Sequence, residues 1–491
     1  MKLALSRKNL WDASPMWLKR TIGAALKLAP PAMVLGGAYR KALADARASE
    51  GWTIEQVRER QVRELRAICE LAYEKSEFYR GVMQRMGCTP AALQKPEDIR
   101  ALPLIDKATL REHGRAMCVR PIDGRDVDEV STGGSSGQPL KFYIQAGRSA
   151  VEFAYLVAGW GRIGFHFGDT TAVFRGAVVP SKALAGLRHS YDPLLRRHFY
   201  SNFHMADADM RAYLRHVATL GPCWLLVYPS SGYALARFIL DGGHKPLTNV
   251  RGILSGSETT YPGQREACEK AFNAPYFTWY GHSEKLALAA ECAKSSDYHV
   301  WPGYGFVELV DEAGKPVTTP GASGEIVGTG FINRVMPFLR YRTGDFATYV
   351  GERCDACGRN HLVIRGIEGH RTQEMLIASD GTAISWVAMN MHDDTFEDVR
   401  QFQFRQDEPG RALLRIVAAP NFGEAHVARI LRNLDRKFAG RMQITIERVD
   451  EIPLTARGKT VYVDQRLKLD GAGRLVSPTQ QNAMNREEVH A

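Results

Sequence analysis

From about Val130 onward, short apolar runs separated by glycines alternate with segments of helical periodicity. No other feature of the sequence constrains the fold as strongly. The predicted strands lie at 171–174, 224–228, 250–254 and 276–280, and the predicted helices between them lie at 206–218, 232–240 and 263–272. Strands that alternate with helices are typical of a largely parallel sheet covered by helices. The sequence therefore predicts an α/β core.

Other patterns flank this core. Residues 53–84 carry apolar side chains at helical spacing and predict one or two long helices, whereas residues 305–350 predict antiparallel strands joined by turns. After Ile364 the pattern predicts a compact α+β unit, with strands at 401–405, 413–418 and 443–448 and a helix at 423–438. A chain of 491 residues is too long for one simple core, so two or three domains are expected.

The composition narrows the class of protein. Hydrophobic residues make up 45% of the chain and charged residues 24%, as in soluble globular proteins. The formal charge of +10 is spread over the whole length without a dense basic run, so we expect no nucleic-acid partner. A basic surface around an anionic substrate such as ATP accounts for the excess of positively charged residues. No apolar stretch of about 20 residues is present, and the expected location is the cytoplasm.

The N-terminal residues 1–47 contain a basic amphipathic segment. Leu18, Ile22 and Leu26 recur at helical spacing among lysines and arginines. Such a helix either packs against the domain, which is the preferred interpretation, or makes weak contact with an anionic membrane surface.

A loop rich in glycine, serine and threonine follows the predicted strand at 128–130. Its sequence is Ser131-Thr132-Gly133-Gly134-Ser135-Ser136-Gly137-Gln138-Pro139. Glycines let the backbone approach phosphate groups closely, while the N–H groups and hydroxyls donate hydrogen bonds to phosphate oxygens. The loop is not a Walker A loop, because no Gly-Lys-Ser/Thr ends it. Taken alone, these residues are equally compatible with a plain turn.

Three further motifs follow in order. They are Tyr280-Gly281-His282-Ser283-Glu284, Tyr341-Arg342-Thr343-Gly344-Asp345 and Pro453-Leu454-Thr455-Ala456-Arg457-Gly458-Lys459. Each is weak by itself, since a strand-end Glu284, a turn Asp345 or a solvated Lys459 would look the same. Together with the loop they resemble the motifs of the adenylate-forming superfamily. From about residue 52 to 467 the chain resembles the phenylacetate–CoA ligase and CapK-like branch of that superfamily.

This resemblance implies a division of the chain. A large N-terminal adenylation domain, residues 51–368, would combine α/β sheets with a β-barrel-like part. A hinge at 369–375 would connect it to a small mobile α+β lid domain at 376–472. An N-terminal helical extension, residues 1–50, and a flexible tail, residues 473–491, would lie outside these units.

The resemblance also implies the residues that act on the phosphates. Thr132, Ser135 and Ser136 would hold the β- and γ-phosphates of ATP. Lys459 would bridge the substrate carboxylate and the α-phosphate and stabilise the charge that develops there. The candidate catalytic residues are Thr132, Glu284 and Lys459.

The adenosine and metal ligands are implied in the same way. Residues 256–258 would line the adenine, Tyr280 would stack on it, and Asp345 would accept hydrogen bonds from the ribose hydroxyls. Glu284 would coordinate Mg²⁺, which prefers one or two carboxylates together with phosphate oxygens. The candidate nucleotide-binding residues are Ser131, Thr132, Gly133, Gly134, Ser135, Ser136, Gly137, Gly256, Ser257, Glu258, Tyr280, Gly281, His282, Ser283, Asp345 and Arg365.

The hinge departs from the family pattern, which is Gly-Arg followed by acidic residues. Here His370 occupies the expected arginine position and Arg371 follows one place later. Either a shift of one residue preserves the guanidinium or His370 replaces it, and Arg365 is a further candidate. The pivot is either Gln373 or Glu374.

A second group of residues has the chemistry of a metal site. Cys354 and Cys357 form a CxxC knuckle, and Cys292 and His299 lie upstream. Three thiolates and an imidazole form a closed tetrahedral set for Zn²⁺, which is structural rather than catalytic. Relatives in the same branch carry a similar cluster. A redox CxxC and simple reduced cysteines are the alternatives.

The predicted function is ATP-dependent activation of a small carboxylic acid as acyl-AMP, with release of pyrophosphate and transfer of the acyl group to CoA. An amine or amino sugar as acceptor, giving an amide, is an alternative. A catalytically silent, zinc-stabilised scaffold is an alternative of another class. By analogy the acyl pocket would include residues 228–230 and His204. The sequence does not indicate the oligomeric state.

Overall fold

The computed structural model describes residues 21, 35–123, 126–132, 140–176, 179, 187–261, 263–368, 375–385, 389, 394–396, 398–453, 461–469 and 475. The helices, numbered along the chain, are α1 Gly36–Ser49, α2 Ile54–Lys75, α3 Glu77–Met86, α4 Lys107–His113, α5 Ser149–Trp160, α6 Asp207–Ala218, α7 Pro229–Asp241, α8 Gln264–Phe272 and α9 Glu424–Phe438. Short 3₁₀ turns occur at Pro90–Ala92, Pro96–Ala101, Gly161–Ile163 and Asp394–Phe396.

The strands fall into four sheets. Those of the N-terminal part are β1 Val127–Thr132, β2 Leu140–Gln145, β3 Thr171–Phe174, β4 His189–Asp192, β5 Arg197–Tyr200, β6 Cys223–Val227, β7 Val250–Gly256, β8 Tyr276–Gly281, β9 Leu288–Glu291, β10 Tyr298–Val300, β11 Gly305–Val310, β12 Ser323–Gly330, β13 Tyr341–Gly351 and β14 Val363–Glu368. Those of the C-terminal part are β15 Met375–Ile377, β16 Ala383–Ser385, β17 Val399–Glu408, β18 Arg411–Ala418, β19 Gln443–Arg448 and β20 Val463–Gln465.

Helices α2 and α3 show how the local sequence sets the elements. Thr53 caps α2 in a capping box with Gln56, whose side chain accepts a hydrogen bond from the Thr53 N–H. Ser76 ends α2 and caps α3 through a hydrogen bond from the Tyr79 N–H. Gly87 then ends α3 in the left-handed conformation that glycine adopts without strain. Of the one or two long helices predicted over 53–84, the structure has two.

One sheet of twelve strands organises the N-terminal part, in the order β11-β12-β13-β14-β10-β9-β8-β7-β6-β3-β5-β4. Strands β5, β3, β6, β7 and β8 run parallel, and the neighbours on either side are antiparallel. Helices α6, α7 and α8 cover one face of the parallel half with a core that contains Tyr213, Leu235 and Phe272. The predicted α/β core is confirmed.

The antiparallel half surrounds an apolar cluster of its own. Strands β9 to β14 contribute to one apolar cluster, which is formed by Ala287, Ala289, Val300, Val307, Leu309, Ile326, Ala347 and Ile364. Leu286, between β8 and β9, lies against the far strands β11 and β12, where a Cβ on Gly305 would fall 1.9 Å from the Leu286 carbonyl oxygen. Only glycine permits this approach of two backbones. The arrangement gives the β-barrel-like part of the predicted fold.

The C-terminal part is a smaller α+β unit. Its sheet has the order β19-β18-β17-β20, and α9 packs on it through Ile430, Leu434 and Phe438. Strands β15 and β16 form a separate hairpin. The elements predicted after Ile364 are confirmed, with bounds that shift by a few residues. Its core also includes Phe203 and Tyr228 of the N-terminal part, so the two parts are in contact.

Helix α1 is the described part of the predicted N-terminal extension. It packs into the cluster that also contains α5, through Tyr39, Ala42 and Ala46. The basic segment around Ile22 lies outside the described residues, apart from residue 21. Among the described helices, none is long and apolar enough to cross a membrane.

Candidate functional site

Two of the sequence motifs meet at one end of the antiparallel strands. The Tyr280 hydroxyl, at the end of β8, donates a hydrogen bond of 2.8 Å to the carboxylate of Asp345 in β13. Burial, reinforced by the negative charge of Asp345, raises the pKa of Tyr280 well above its usual value. The phenol therefore stays protonated and remains a donor to this carboxylate.

The turn that carries Asp345 is held on both sides. The Thr343 hydroxyl donates to the Ile326 carbonyl and accepts a hydrogen bond from the Asp345 N–H at 3.1 Å. The Glu325 carboxylate accepts from the Gly344 N–H and pairs with Arg342 at 2.5 Å. These contacts fix the backbone so that the Asp345 carboxylate keeps one direction.

Glu284 lies close to this pair. It is buried, and the Tyr341 hydroxyl lies 3.5 Å from its carboxylate. The packing of Leu286 against the glycines of β11 and β12 fixes the short segment that carries Glu284. We refer to Tyr280, Glu284 and Asp345 as the nucleotide end of the antiparallel strands.

His282 is the middle residue of the motif that contains Tyr280 and Glu284. Its ring is 5.9 Å from that of Tyr280, at an interplanar angle of 24°. Both ring nitrogens are buried, and neither has a hydrogen-bond partner among the described residues. Gly281 and Ser283, the other predicted nucleotide-binding residues of the motif, flank it in β8 and in the turn that follows.

The segment predicted to line the adenine follows β7. A Cβ on Gly256 would lie 2.6 Å from the Trp279 ring, so glycine is needed for that ring to pack there. Ser257 has a φ of 73°, an uncommon conformation for a residue with a side chain. Glu258 accepts a hydrogen bond from the Ser230 N–H at 3.0 Å, which joins this segment to the predicted acyl pocket.

A residue that the sequence analysis did not single out lies at the centre of this pocket. Arg175, which directly follows β3, places its guanidinium 4.9 Å from the Tyr228 ring centroid and 5.0 Å from that of Trp279. It also donates to the Ser257 hydroxyl. The only signal in the sequence is its position after a parallel strand, where ligands bind in α/β sheets.

Arg175 and Glu258 bring opposite charges into this otherwise aromatic region. Burial lowers the pKa of Arg175, whereas the negative charge of Glu258 opposes this shift. Burial also raises the pKa of Glu258, although hydrogen bonds from Ser385 and Ser230 act in the opposite direction and lower it. His204 belongs to the same region, but its Nδ1 is 2.7 Å from the Ser201 hydroxyl.

Arg365 does not join the nucleotide end. Its guanidinium pairs with both oxygens of Asp297, at 2.5 Å and 3.0 Å. The hydrogen bonds from Arg365 lower the pKa of the Asp297 carboxyl. The structure therefore places Arg365 beside the loop between Cys292 and His299.

Several predicted site residues lie outside what the structure describes. Ser131 and Thr132 are described only as the backbone of β1. The rest of the phosphate loop, the hinge residues and the catalytic lysine are not described, namely Gly133, Gly134, Ser135, Ser136, Gly137, His370, Arg371, Gln373, Glu374 and Lys459.

The four predicted zinc ligands come together. One ligand atom from each of Cys292, His299, Cys354 and Cys357 lies within 4.8 Å of the others, and the Cys357 Sγ is 3.7 Å from His299 Nε2. The Gly358 N–H donates to the Cys354 carbonyl at 2.7 Å, which closes the knuckle. We refer to these four residues as the cysteine end of the antiparallel strands.

The thiols of the cysteine end differ in their electrostatic surroundings. Burial raises the pKa of Cys354 to about 11. Burial opposes ionisation of Cys357, but hydrogen bonds from Arg359 and from the neighbouring thiols lower its pKa overall. Burial lowers the pKa of His299 to about 2, so its imidazole is neutral. Deprotonated thiols and a neutral imidazole are the forms that bind Zn²⁺.

The cysteine end is anchored to the N-terminal region. Glu50 pairs with both Arg162 and Arg359, and Arg162 also donates to the carbonyls of β9. The His361 Nε2 is 2.9 Å from the Ser49 carbonyl oxygen. The knuckle therefore joins α1 to the strands that lead to the nucleotide end.

The C-terminal part contacts the predicted acyl pocket from one side. Arg441 donates to the Phe203 carbonyl at 3.1 Å and pairs with Asp380 at 2.5 Å. The Met205 N–H donates to the Thr382 hydroxyl at 3.2 Å. These polar contacts connect the two parts beside the apolar contact of Phe203 and Tyr228.

Comparison with sequence families and known proteins gives a consistent result. Residues 376–466 match the family model described as the CapK C-terminal domain. The chain is 23% identical over 406 residues to protein CapK of Staphylococcus aureus, covering 80% of this chain and 86% of that protein. It is 25% identical over 340 residues to phenylacetate-coenzyme A ligase of Thermus thermophilus, covering 66% of this chain and 72% of that protein.

Solved structures show the same fold. The crystal structure of 2-hydroxyisobutyryl-CoA ligase in complex with 2-HIB-AMP and CoA, in the thioesterification state, matches with a TM-score of 0.56 and 19% identity. The match covers 90% of this chain and 94% of that one. An open conformation of the same ligase matches with a TM-score of 0.50 over 82% of this chain and 90% of that one, at 18% identity.

Proposed function

We propose that this chain is a member of the phenylacetate–CoA ligase and CapK-like branch of the adenylate-forming superfamily, and that it activates a carboxylic acid with ATP and transfers the acyl group to CoA. It is an enzyme of the ATP-dependent ligase type. The hydrogen bond between Tyr280 and Asp345 is the observation that carries the proposal, because it joins two motifs that are 65 residues apart.

In the first half-reaction, a carboxylate oxygen of the acid attacks the α-phosphorus of ATP. The bond from the α-phosphorus to the bridging oxygen breaks, and pyrophosphate leaves. Asp345 would hold the ribose hydroxyls while Tyr280 lies along the adenine. Glu284 would bind the Mg²⁺ that accompanies ATP, and the metal would neutralise phosphate charge.

Two segments would complete this step. The loop at 131–137, with Thr132 at its start, would hold the β- and γ-phosphates through N–H groups and hydroxyls. Lys459 would lie between the carboxylate and the α-phosphate, where its positive charge stabilises the transition state. Positioning and charge stabilisation account for most of the rate of such a reaction.

In the second half-reaction, the CoA thiol loses its proton and attacks the acyl carbon, and AMP leaves with the electrons of the acyl–phosphate bond. Rotation of the C-terminal domain, residues 376–472, about the hinge at 369–375 would withdraw Lys459 and open a path for the thiol. Such a rotation would break the hydrogen bonds from Arg441 to the Phe203 carbonyl and from the Met205 N–H to the Thr382 hydroxyl.

The acid is proposed to carry a second polar group. Arg175, held between Tyr228 and Trp279, offers N–H donors in a pocket that is otherwise aromatic. A hydroxyl or carbonyl on the acid would accept a further hydrogen bond from this guanidinium, which a plain fatty acid cannot do. Hydroxy acids and substituted aryl acids are therefore the favoured class.

The cysteine end is proposed to hold one structural Zn²⁺. Four ligands leave no open position, so the metal would take no part in the reaction. It would instead hold the loop between Cys292 and His299 against the knuckle before β14, and thereby fix the strand that leads to the hinge.

The test is pyrophosphate release with ATP and Mg²⁺ against a panel of hydroxy, aryl, fatty and amino acids, each with and without CoA. The Lys459→Ala variant is the control for background hydrolysis. Release with one class of acid that disappears in the variant is the expected result. No release with any acid, while ATP still binds, would contradict the proposal and favour the silent scaffold.

The same assay decides the acceptor. A further rise in rate with CoA, together with an acyl-CoA product in mass spectrometry, would identify the thiol as acceptor. If CoA has no effect but an amine or amino sugar gives an amide product, the amide ligase is correct instead. The similarity to protein CapK is the reason to include amino sugars in the panel.

A further inference from the structure

Three histidines from separate elements meet at the edge of the large sheet, away from both the nucleotide end and the cysteine end. They are His189 in β4, His198 in β5 and His216 in α6. One ring nitrogen of each lies within 4.8 Å of the others, and His189 Nε2 is 3.0 Å from His198 Nδ1. We call these residues the histidine cluster.

The register of the edge hairpin explains why the cluster forms. In the antiparallel pair of β4 and β5, His189 lies opposite Tyr200, and Tyr191 lies opposite His198. Because residues two apart on a strand share a face, all four side chains lie on one face of the hairpin. Helix α6 covers this face and brings His216 to within 4.6 Å of His189, measured between ring centroids.

The third ring is oriented by a neighbour. The Tyr200 hydroxyl is 2.7 Å from His216 Nδ1, so that nitrogen is engaged and Nε2 is the one available to a ligand. A hydrogen bond to the second nitrogen of an imidazole is the usual device that orients a metal-binding histidine.

We propose that His189, His198 and His216 form a site for one divalent transition-metal ion of the Zn²⁺, Co²⁺ and Ni²⁺ class. Tetrahedral Zn²⁺ with bonds of about 2.0–2.1 Å places ligand nitrogens roughly 3.3 Å apart, so small side-chain movements suffice from the observed 3.0 Å. Imidazole suits these metals, whereas Mg²⁺ and Ca²⁺ require oxygen ligands. Three ligands leave a fourth position for water or a small anion.

The position of the site suggests its effect. A metal held by β4, β5 and α6 would tie the outermost hairpin of the sheet to a helix. The same helix carries Asp209, which pairs with Arg188 at 2.9 Å and lies 3.9 Å from Arg441 of the C-terminal part. Metal binding would therefore stiffen the surface on which the C-terminal part docks. This inference does not depend on the proposed reaction.

The test uses the full chain with its cysteine end already loaded with Zn²⁺. The protein is equilibrated with Ni²⁺ and the bound metals are counted by mass spectrometry. We expect one Zn²⁺ and one Ni²⁺ for each chain in the wild type. His198→Gln and His189→Gln should lose the Ni²⁺ and keep the Zn²⁺. His244→Gln, which changes an exposed histidine outside the cluster, should bind both.

Two further measurements keep the result decisive. Tyr200→Phe keeps all three ligands but removes the orienting hydroxyl, so Ni²⁺ should bind roughly tenfold more weakly. Co²⁺ bound at the cluster should give visible d–d absorption without the near-ultraviolet thiolate bands that the cysteine end gives. A wild-type chain that binds no Ni²⁺, or a His198→Gln chain that binds it as tightly, would overturn the proposal.

Discussion

The nucleotide end and the cysteine end are opposite ends of the same strands, and they are built differently. Near Asp345, Phe346 of β13 pairs with Glu368 of β14, whereas near the knuckle Gly351 pairs with Val363. At the nucleotide end three polar side chains lie close together, and the Tyr280 hydroxyl donates a hydrogen bond to the Asp345 carboxylate. At the cysteine end one ligand atom from each of four residues lies within 4.8 Å of the others, and three of the four residues are buried.

The difference shows how one set of strands can carry both a structural site and a ligand-binding site. With four ligands, the proposed zinc site would lack an open position and would only hold the strands in place. The nucleotide end carries the carboxylates of Glu284 and Asp345, which are proposed to bind a ligand that comes and goes. Damage to the first should therefore lower stability, and damage to the second should lower the reaction rate without unfolding the chain.

The largest effect is expected from Lys459→Ala. Loss of one charge that stabilises the transition state should lower the rate of pyrophosphate release about a hundredfold to a thousandfold. The thermal midpoint and the zinc content should stay as in the wild type. Lys468→Ala, an exposed lysine in the same domain, is the matched control and should leave the rate unchanged. Equal rates in the two variants would show that Lys459 has no catalytic role.

Asp345→Ala should come next. Loss of hydrogen bonds between a charged carboxylate and the ribose is expected to raise the KM for ATP about tenfold to a hundredfold. The variant should unfold at nearly the wild-type temperature, because the turn is also held by Thr343 and Glu325. Glu312→Ala, at an exposed turn, serves as control. If Asp345→Ala lost much of the folding stability and kept the wild-type KM, the nucleotide end would have a structural role, contrary to the assignment.

Cys357→Ser tests the cysteine end. A ligand that binds only the folded state at a hundred times its Kd stabilises that state by about 2.7 kcal/mol, so loss of Zn²⁺ should lower the free energy of unfolding by roughly 3 kcal/mol. Removal of zinc from the wild type by a strong chelator should have the same effect. Cys88→Ser, outside the cluster, should keep both zinc and stability. Zinc bound equally by the Cys357→Ser chain would contradict the assignment.

The smallest effect is expected from Arg365→Ala. The Arg365 side chain is 61% exposed, so its pair with Asp297 should contribute at most about 1 kcal/mol. The KM for ATP should change less than twofold, as should that of the matched variant Arg353→Ala. A rise in KM comparable to that of Asp345→Ala would instead indicate that Arg365 contacts the ribose. The distinction between a substrate-binding end and a structural end would then be wrong.

The sequence by itself determined the class of fold and much of its outline. Periodicity predicted α7, α8 and the C-terminal elements β17, β18, α9 and β19 close to their observed bounds. These elements are set by local patterns of apolar residues and by caps, which the sequence displays directly. The edge strands β4 and β5 were not predicted, because their runs are short and rich in histidine and charge rather than alternating apolar residues.

The motifs likewise named Tyr280, Asp345 and the four cysteine-end ligands, and the structure brings each group together. It was the tertiary structure alone that placed Arg365 on Asp297, Arg175 between two aromatic rings, and three distant histidines in one cluster. Such contacts depend on which strands are neighbours and in what register they pair. A one-residue slip would turn His189 and His198 to the other face, and no local pattern in the sequence records that register.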